Sequence, residues 1–199
     1  MIRFGFSHRV KGPNRQEVAG VLEMLGTNSI VLVGLMGCGK SAIGRRLAAC
    51  LKLPFVDADD EIEKAAGKTI SEIFEDHGEV EFREGERKVI ARLLAGGPQV
   101  LATGGGAYMD AETRARIAEK GISVWLKADL SVLMRRVSRR DNRPLLKTGK
   151  PSAVMARLKE ERYPTYAKAD IVAESRDVPH EQIVSEIAAM LIDLRPRSV

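Results

Sequence analysis

Short apolar runs alternate with amphipathic stretches along most of the chain. Five runs predict β-strands, over residues 29–34, 54–57, 98–103, 122–127 and 169–173. Their apolar and β-branched content is typical of parallel strands that are buried on both faces. Helices are predicted over 40–51, 60–66, 70–77, 79–95, 110–119, 129–138, 151–162 and 180–193. The alternation predicts a three-layer α/β domain, in which helices cover both faces of a five-stranded parallel sheet.

Two regions depart from this simple alternation. Residues 58–95 place several helices between consecutive strands, with a capping box that begins at Thr69 and a predicted stop at Gly78. Residues 139–150 are rich in Arg, Lys, Gly and Pro and have the composition of a mobile lid. Extra helices and a lid suit a group-transfer enzyme, which must keep water from the transferred group.

The chain begins with a basic segment that precedes the first predicted strand. Residues 1–28 contain no acidic residue before Glu17 and lack the apolar centre of a secretory signal. Residues 15–25 are compatible with a short helix. We expect residues 1–28 to be an N-terminal extension, a disordered tail or a leader in preference to a targeting peptide, followed by a single domain over 29–199.

Composition narrows the class of protein. The 199 residues are 44% hydrophobic and 30% charged, as is usual for a globular domain, and no run of about 18 apolar residues predicts a membrane span. The net charge is +5, but the arginine cluster around 135–143 has no interleaved aromatic residues. This favours anionic small molecules over nucleic acid. Two cysteines without disulfide or metal-ligand spacing indicate a reducing, cytoplasmic location.

The most specific motif follows the first predicted strand. Residues 34–41 read Gly-Leu-Met-Gly-Cys-Gly-Lys-Ser, the G-x-x-x-x-G-K-[ST] pattern of a phosphate-binding loop, between a strand and a helix. Glycines let backbone N–H groups turn towards phosphate oxygens, and the helix adds its positive N-terminal end. Lys40 is expected to reach the β- and γ-phosphates and Ser41 to ligate Mg²⁺. Cys38 is read as a small residue that fits the loop, in preference to a reactive thiol.

Two carboxylates end the second predicted strand. Asp57 is the natural second ligand for Mg²⁺, because ligands bind at the carboxyl edge of an open parallel sheet. Asp59 lies one step further out and is placed to accept a proton from an attacking hydroxyl. The alternative, that Asp59 or Asp60 only caps the next helix, is equally compatible with these residues.

Glycines and isolated arginines supply the remaining candidates. Gly104, Gly105 and Gly106 follow the third predicted strand and allow a ligand to approach the backbone, although a flexible turn is the alternative. Arg83 and Arg162 have the guanidinium that binds carboxylates, but taken singly each reads as a surface charge. Arg143, in the lid, is placed to supply positive charge to a phosphoryl-transfer transition state.

Together these motifs resemble the shikimate kinase family, from about Ile30 to Asp193. The matching segments are 34–41, Phe55-Val-Asp-Ala-Asp59, Phe82-Arg83, Thr103-Gly-Gly-Gly106, Arg143-Pro-Leu-Leu146 and Glu161-Arg-Tyr-Pro164. The resemblance implies a kinase fold with a P-loop, a helical substrate-binding segment at about 58–95 and a lid at about 139–150. It also implies transfer of the γ-phosphoryl of MgATP to the 3-hydroxyl of shikimate, by a monomer that binds neither nucleic acid nor membrane.

The resemblance also assigns roles to individual residues. Asp59 would contact the ring hydroxyls of shikimate, Arg83 and Arg162 would bind its carboxylate, and Gly104, Gly105 and Gly106 would line its pocket. Arg136 would pack against adenine with Pro144 nearby, Arg176 would cover the other adenine face, and Arg143 would bridge from the lid to the phosphates. The ATP-binding set is completed by Gly37, Cys38, Gly39, Lys40, Ser41 and Ala42, and the metal ligands are Ser41 and Asp57.

Two alternative functions remain open. Another small-molecule kinase of the same fold, such as a gluconate or nucleoside monophosphate kinase, also has a phosphate loop, and gluconate also requires a partner for its carboxylate. Asp59 and the three glycines favour shikimate. A nucleotide-binding regulatory or RNA-binding protein would retain the loop without the chemistry. The combination of Lys40, Asp59 and Arg143 argues against it.

Overall fold

A computed structural model of the protein describes residues 12–137 and 150–194. All five predicted strands are present, and they form one parallel sheet. The strands are β1 Ser29–Val33, β2 Phe55–Asp57, β3 Val100–Ala102, β4 Gly121–Lys127 and β5 Ile171–Glu174. Their order in the sheet is β2-β3-β1-β4-β5. The sheet therefore has β1 at its centre, and the carboxyl ends of all strands meet at one edge.

Helices pack around this sheet. They are α1 Arg15–Leu25, α2 Lys40–Leu51, α3 Ala58–Ala66, α4 Ile70–Ala95, α5 Ala111–Lys120, α6 Leu130–Val137, α7 Pro151–Tyr166 and α8 His180–Ile192, with a 3₁₀ turn at Ala107–Met109. The central strand is buried at every position, which explains the apolar run at 30–33 after Ser29. None of the described helices is both long and apolar enough to cross a membrane.

The two helices predicted on either side of Gly78 join into the single helix α4, with a kink at that glycine. Gly78 has φ 79° and ψ 178°, a non-helical conformation with positive φ that glycine adopts without a steric penalty. The predicted capping box at Thr69 is present, because its side chain accepts the Glu72 N–H and the Glu72 side chain accepts the Thr69 N–H. A small apolar cluster, separate from the main core, packs α3 against α4; its buried members are Ile62, Ile73 and Phe82.

The basic N-terminal segment includes a helix that belongs to the domain. Helix α1 is capped by the side chain of Asn14, and Val21 and Leu25 are each 1% exposed within the main core. Helix α1 is therefore part of the domain, which begins before the predicted boundary at residue 29. Residues 1–11 lie outside the described part of the chain.

Helix α7 extends beyond its predicted end at residue 162. The prediction stopped there because Pro164 lacks an N–H and usually ends or kinks a helix. The structure continues the helix through Pro164 to Tyr166. Both Tyr163 and Tyr166 pack against Trp125 of β4, with ring centroids 4.9 and 5.9 Å away. Tertiary packing of these aromatic rings thus accompanies the lost helical hydrogen bond.

Candidate active site

The phosphate loop connects β1 to α2 in the conformation that its glycines predicted. Gly37 and Gly39 have φ of 81° and 99°, which side chains with a Cβ rarely adopt. A Cβ at Gly37 would also lie 2.8 Å from Val137 Cγ2 and 3.1 Å from the carbonyl oxygen of Leu133. Both the backbone angle and the close packing of α6 therefore require glycine at position 37.

Lys40 and Ser41 stand at the first turn of α2. The Lys40 ammonium donates to the carbonyl oxygens of Gly34, at 2.8 Å, and Leu35, at 3.2 Å. These contacts hold the charge over the loop. The Ser41 hydroxyl donates to Asp57 Oδ2 at 2.7 Å and thereby connects α2 to the end of β2.

Asp57, and neither Asp59 nor Asp60, caps helix α3. Asp57 Oδ1 accepts the backbone N–H of Asp59 at 3.2 Å. Asp59 lies in the first turn of the helix, and its side chain borders the cleft. The alternative in which Asp59 or Asp60 is the cap is therefore excluded, and Asp57 has two contacts, one with the helix and one with Ser41.

The three glycines after β3 lie directly against charged side chains. A Cβ at Gly104 would be 2.5 Å from Glu86 Oε1 and 3.0 Å from Asp59 Oδ1. A Cβ at Gly106 would be 2.5 Å from Arg83 Cζ. Close packing against Glu86 and Arg83 therefore favours glycine at positions 104 and 106, whereas a Cβ at Gly105 would meet only ordinary contact distances.

Arg83 is held by two glutamates of its own helix. Its guanidinium donates to Glu86 Oε2 at 2.7 Å and to Glu79 Oε1 at 3.0 Å. The Glu86 side chain is 3% exposed, and burial raises the pKa of its carboxyl against the opposing effect of Arg83. Burial lowers the pKa of Arg83, but Glu86 and Glu79 outweigh it and leave that pKa raised, so the guanidinium stays charged. Among the described residues, Glu86 Oε1 has no hydrogen-bond partner.

Arg162 reaches the same glycine loop from α7. Its NH1 group donates to the carbonyl oxygen of Gly105 at 3.0 Å, and the Tyr166 hydroxyl donates to that same oxygen. Arg83 and Arg162, which are 79 positions apart in the sequence, thus both contact the segment Gly104–Gly106.

A second arginine group lies at the other end of the phosphate loop. Arg136 donates to Ser175 Oγ at 2.9 Å and to the carbonyl oxygen of Arg176 at 2.8 Å. Ser175 in turn donates to the carbonyl oxygen of Cys38 at 2.7 Å. Ser175 therefore connects the phosphate loop to Arg136, the residue expected to pack against adenine.

Arg176 is directed to a different partner. Its guanidinium pairs with both carboxylate oxygens of Glu186 on α8, and it is absent from the described residues that line the cleft. Pro179 and His180 line that end of the cleft instead. Burial and the nearby Arg46 and Arg136 lower the pKa of His180, so its imidazole is neutral at pH 7.

One cleft of about 710 Å³ runs along the carboxyl edge of the sheet. It brings together nine of the residues that the sequence selected: Gly37, Gly39, Lys40, Ser41, Ala42, Asp57, Asp59, Gly105 and Arg136. Cys38 is buried beneath the loop, with its thiol 3.0 Å from the position of a Cβ at Gly34. Arg143 and Pro144, together with 139–149 of the predicted lid, lie outside the described residues.

The residues that the sequence reading overlooked include Glu86, Ser175 and Tyr166, which contact the site, and Pro179 and His180, which line the cleft. Glu86 follows Arg83 by three positions and Tyr166 follows Arg162 by four, so helical spacing was an available signal for both. Ser175 had no such signal, because its contact with Cys38 spans 137 residues. Only the pairing of β4 with β5 brings it to the loop.

Comparison with known proteins agrees with this arrangement. The family model described as shikimate kinase matches residues 36–192. The chain is 66% identical over 168 residues to a shikimate kinase of Bradyrhizobium diazoefficiens, covering 84% of this chain and 81% of the relative. It is 60% identical over 182 residues to one from Rhodopseudomonas palustris, covering 92% and 89%. The structure of a shikimate kinase from Acinetobacter baumannii in complex with shikimate superposes with a TM-score of 0.82 at 36% identity, covering 87% of this chain and 97% of that one.

Proposed function

We propose a mechanism for this chain, which belongs to the shikimate kinase family. Its nucleotide-binding and acceptor-binding residues together transfer the γ-phosphoryl of ATP to the 3-hydroxyl of shikimate. The products are shikimate 3-phosphate and ADP. The observation that carries the proposal is one continuous cleft, in which the phosphate loop meets Asp59 and Gly105. Nucleotide and acceptor can therefore lie side by side at the edge of the sheet.

The nucleotide is bound by the phosphate loop and by Arg136. Lys40 lies at the start of α2, and its ammonium donates to the carbonyl oxygens of Gly34 and Leu35. When ATP binds, the ammonium exchanges these hydrogen bonds for contacts with the β- and γ-phosphates. Arg136 and Pro179 border the far end of the cleft, where a flat adenine ring fits between a guanidinium and an apolar ring. Arg143 would add positive charge from the lid segment.

The donor set of the site fits Mg²⁺. Ser41 and Asp57 place a hydroxyl and a carboxylate oxygen 2.7 Å apart, and hard divalent cations prefer oxygen ligands. Among the described residues no group of three or more His, Cys, Asp or Glu could hold a metal by itself. A Mg²⁺ ion held by Ser41 and Asp57 would take its remaining ligands from phosphate and water. When bound, such an ion neutralises the negative charge of the phosphates.

The acceptor is oriented by charge and by close backbone contact. Arg83 and Arg162 supply guanidinium groups beside Gly104–Gly106, the arrangement required to bind a carboxylate from two directions. Asp59 lies against Gly104 at the same loop and borders the cleft. A substrate that carries a carboxylate at one side of a ring and hydroxyls at the other therefore fits this group of residues.

Transfer then requires little covalent work from the protein. The acceptor 3-oxygen forms a bond to the γ-phosphorus while the bond from that phosphorus to the bridging oxygen of ADP breaks. Because the transition state is loose, the hydroxyl keeps its proton until late, and Asp59 accepts it. Lys40, Arg143 and the loop N–H groups stabilise the charge that moves onto ADP.

The assay that tests this function measures ADP release with MgATP and one acceptor at a time. The acceptors are shikimate, gluconate, AMP and none. We expect turnover to depend on shikimate, and ³¹P NMR to show a new phosphate monoester on its 3-oxygen. Turnover on gluconate alone would move the function to another sugar-acid kinase. Binding of ATP with no turnover on any acceptor would support a regulatory role and contradict the proposal.

We further propose that the enzyme is a cytoplasmic monomer that binds neither nucleic acid nor membrane. The described part of this chain supplies both the phosphate loop and, on the acceptor side, Asp59 and Gly105. Two anionic substrates account for the excess of basic side chains. Light scattering coupled to gel filtration would measure the mass, and a dimer with an altered cleft would contradict this assignment.

A further inference from the structure

The carbonyl oxygen of Gly105 accepts two hydrogen bonds from α7. One comes from Arg162 NH1, at 3.0 Å, and the other from the Tyr166 hydroxyl. A carbonyl oxygen has two lone pairs, so both donors can bind at once. The two donors differ in kind, because Arg162 is a substrate-binding candidate with a long side chain, whereas Tyr166 is fully buried.

The Tyr166 ring is enclosed by other aromatic rings. It is 0% exposed, and it packs against Trp125 and Tyr108 with ring centroids 5.9 and 6.3 Å away. Burial raises the pKa of its hydroxyl above the ordinary value for tyrosine, so the group keeps its proton and remains a hydrogen-bond donor near neutral pH. A donor on a fixed ring determines where its acceptor must lie.

That acceptor, the Gly105 carbonyl, lies where the glycine loop after β3 approaches the phosphate loop. A Cβ at Gly105 would be 3.6 Å from both the carbonyl oxygen of Gly34 and the N atom of Met36, two residues of the phosphate loop. The indole ring of Trp125 also supports the phosphate loop, since its Cδ1 would be 3.4 Å from a Cβ at Gly34. One aromatic group therefore supports both loops from below.

We propose that Tyr166 is a positioning residue for the acceptor. It fixes the Gly105 carbonyl, and with it the glycine loop, at its distance from the phosphate loop. The contact matters most when Arg162 turns from that carbonyl to the carboxylate of the acceptor, because Tyr166 is then the remaining donor. This inference rests on the proposed function, and it adds a residue that does not itself touch substrate.

The test compares Tyr166→Phe with Tyr163→Phe. Both changes delete one hydroxyl from the same helix, at the buried Tyr166 and the half-buried Tyr163, and leave the aromatic packing in place. Tyr163 donates to the carbonyl oxygen of Ala128, which is not part of the acceptor loop. Steady-state kinetics with shikimate and ATP varied in turn, together with thermal unfolding of each variant, separate an effect on acceptor position from a general loss of stability.

We expect Tyr166→Phe to raise the KM for shikimate by about five- to tenfold, the usual effect of one lost hydrogen bond, and to leave the KM for ATP within about twofold. Tyr163→Phe should change neither KM, even with a similar fall in Tm. Equal changes in both KM values, an unchanged KM for shikimate, or the same split in Tyr163→Phe would overturn the inference. Failure of the proposed function is distinct, because the wild-type enzyme would then not phosphorylate shikimate.

Discussion

The two sides of the cleft are built in different ways. The phosphate side is a run of eight consecutive residues, 34–41, whose shape follows from glycine backbone angles and from the start of a helix. The acceptor side takes Asp59 from α3 and Gly105 from the loop after β3, both in the cleft, while Arg83 of α4 and Arg162 of α7 pack against that loop without being among the described residues that line the cleft. Only the sheet and its covering helices bring these four segments together.

The two sides also differ in how their charges are held. The Lys40 ammonium donates to carbonyl oxygens of its own loop, and among the described residues it forms no ion pair with a carboxylate. Arg83 is fixed by Glu79 and Glu86 before any acceptor binds. A local motif can therefore hold phosphate with backbone groups. Selection among acceptors, in contrast, requires side chains that the tertiary structure has already oriented.

The largest effect is expected on the phosphate side. Lys40→Ala should lower kcat/KM for ATP by about 10³-fold, because it removes a preorganised positive charge from the transferring group. Calorimetric titration with shikimate should give a Kd within about twofold of wild type, since the acceptor side is built separately. A large loss of shikimate affinity would break the comparison.

A smaller but still large effect is expected for Asp59→Asn. The amide has the shape of the carboxylate but cannot accept the proton, so we expect kcat to fall by about 10²-fold or more. Binding of ATP, measured by titration in the absence of acceptor, should survive. Undiminished turnover would remove Asp59 from the role of base or orienting group.

The next variant changes the acceptor side alone. Arg83→Lys keeps a positive charge beside Glu86 but loses the guanidinium that binds a carboxylate through two hydrogen bonds. We expect the KM for shikimate to rise by about tenfold, with the KM for ATP unchanged. The matched control is Arg92→Lys, on the exposed face of the same helix, where Arg92 is 61% exposed. An equal rise in the control would contradict the assignment.

The smallest effects separate two arginines at the adenine end. Arg136→Ala should raise the KM for ATP by about tenfold, because Arg136 lines the cleft and contacts the phosphate loop. Arg176→Ala should change it by less than about twofold, because Arg176 is occupied by Glu186. A larger rise in the KM for ATP in Arg176→Ala than in Arg136→Ala would support the sequence-based expectation that Arg176 covers adenine.

Much of the fold was predictable because its signals are local. Buried parallel strands read as short apolar runs, and all five were located to within about two residues. Gly78 was also correctly picked out, but it is a kink within α4 and not an end, because glycine itself readily adopts the positive φ found there. Helix α7 was predicted too short, because its continuation past Pro164 accompanies aromatic packing on another element.

The sequence by itself determined the phosphate loop, the strand order along the chain and the chemical types of the acceptor residues. Each of these depends on neighbouring positions and on the intrinsic properties of glycine, lysine and carboxylates. The tertiary structure alone decided that α1 joins the core, that Asp57 caps α3 while contacting Ser41, and that Arg176 turns to Glu186. These outcomes depend on distances between segments far apart in the chain, and such distances are fixed only when the sheet and helices pack.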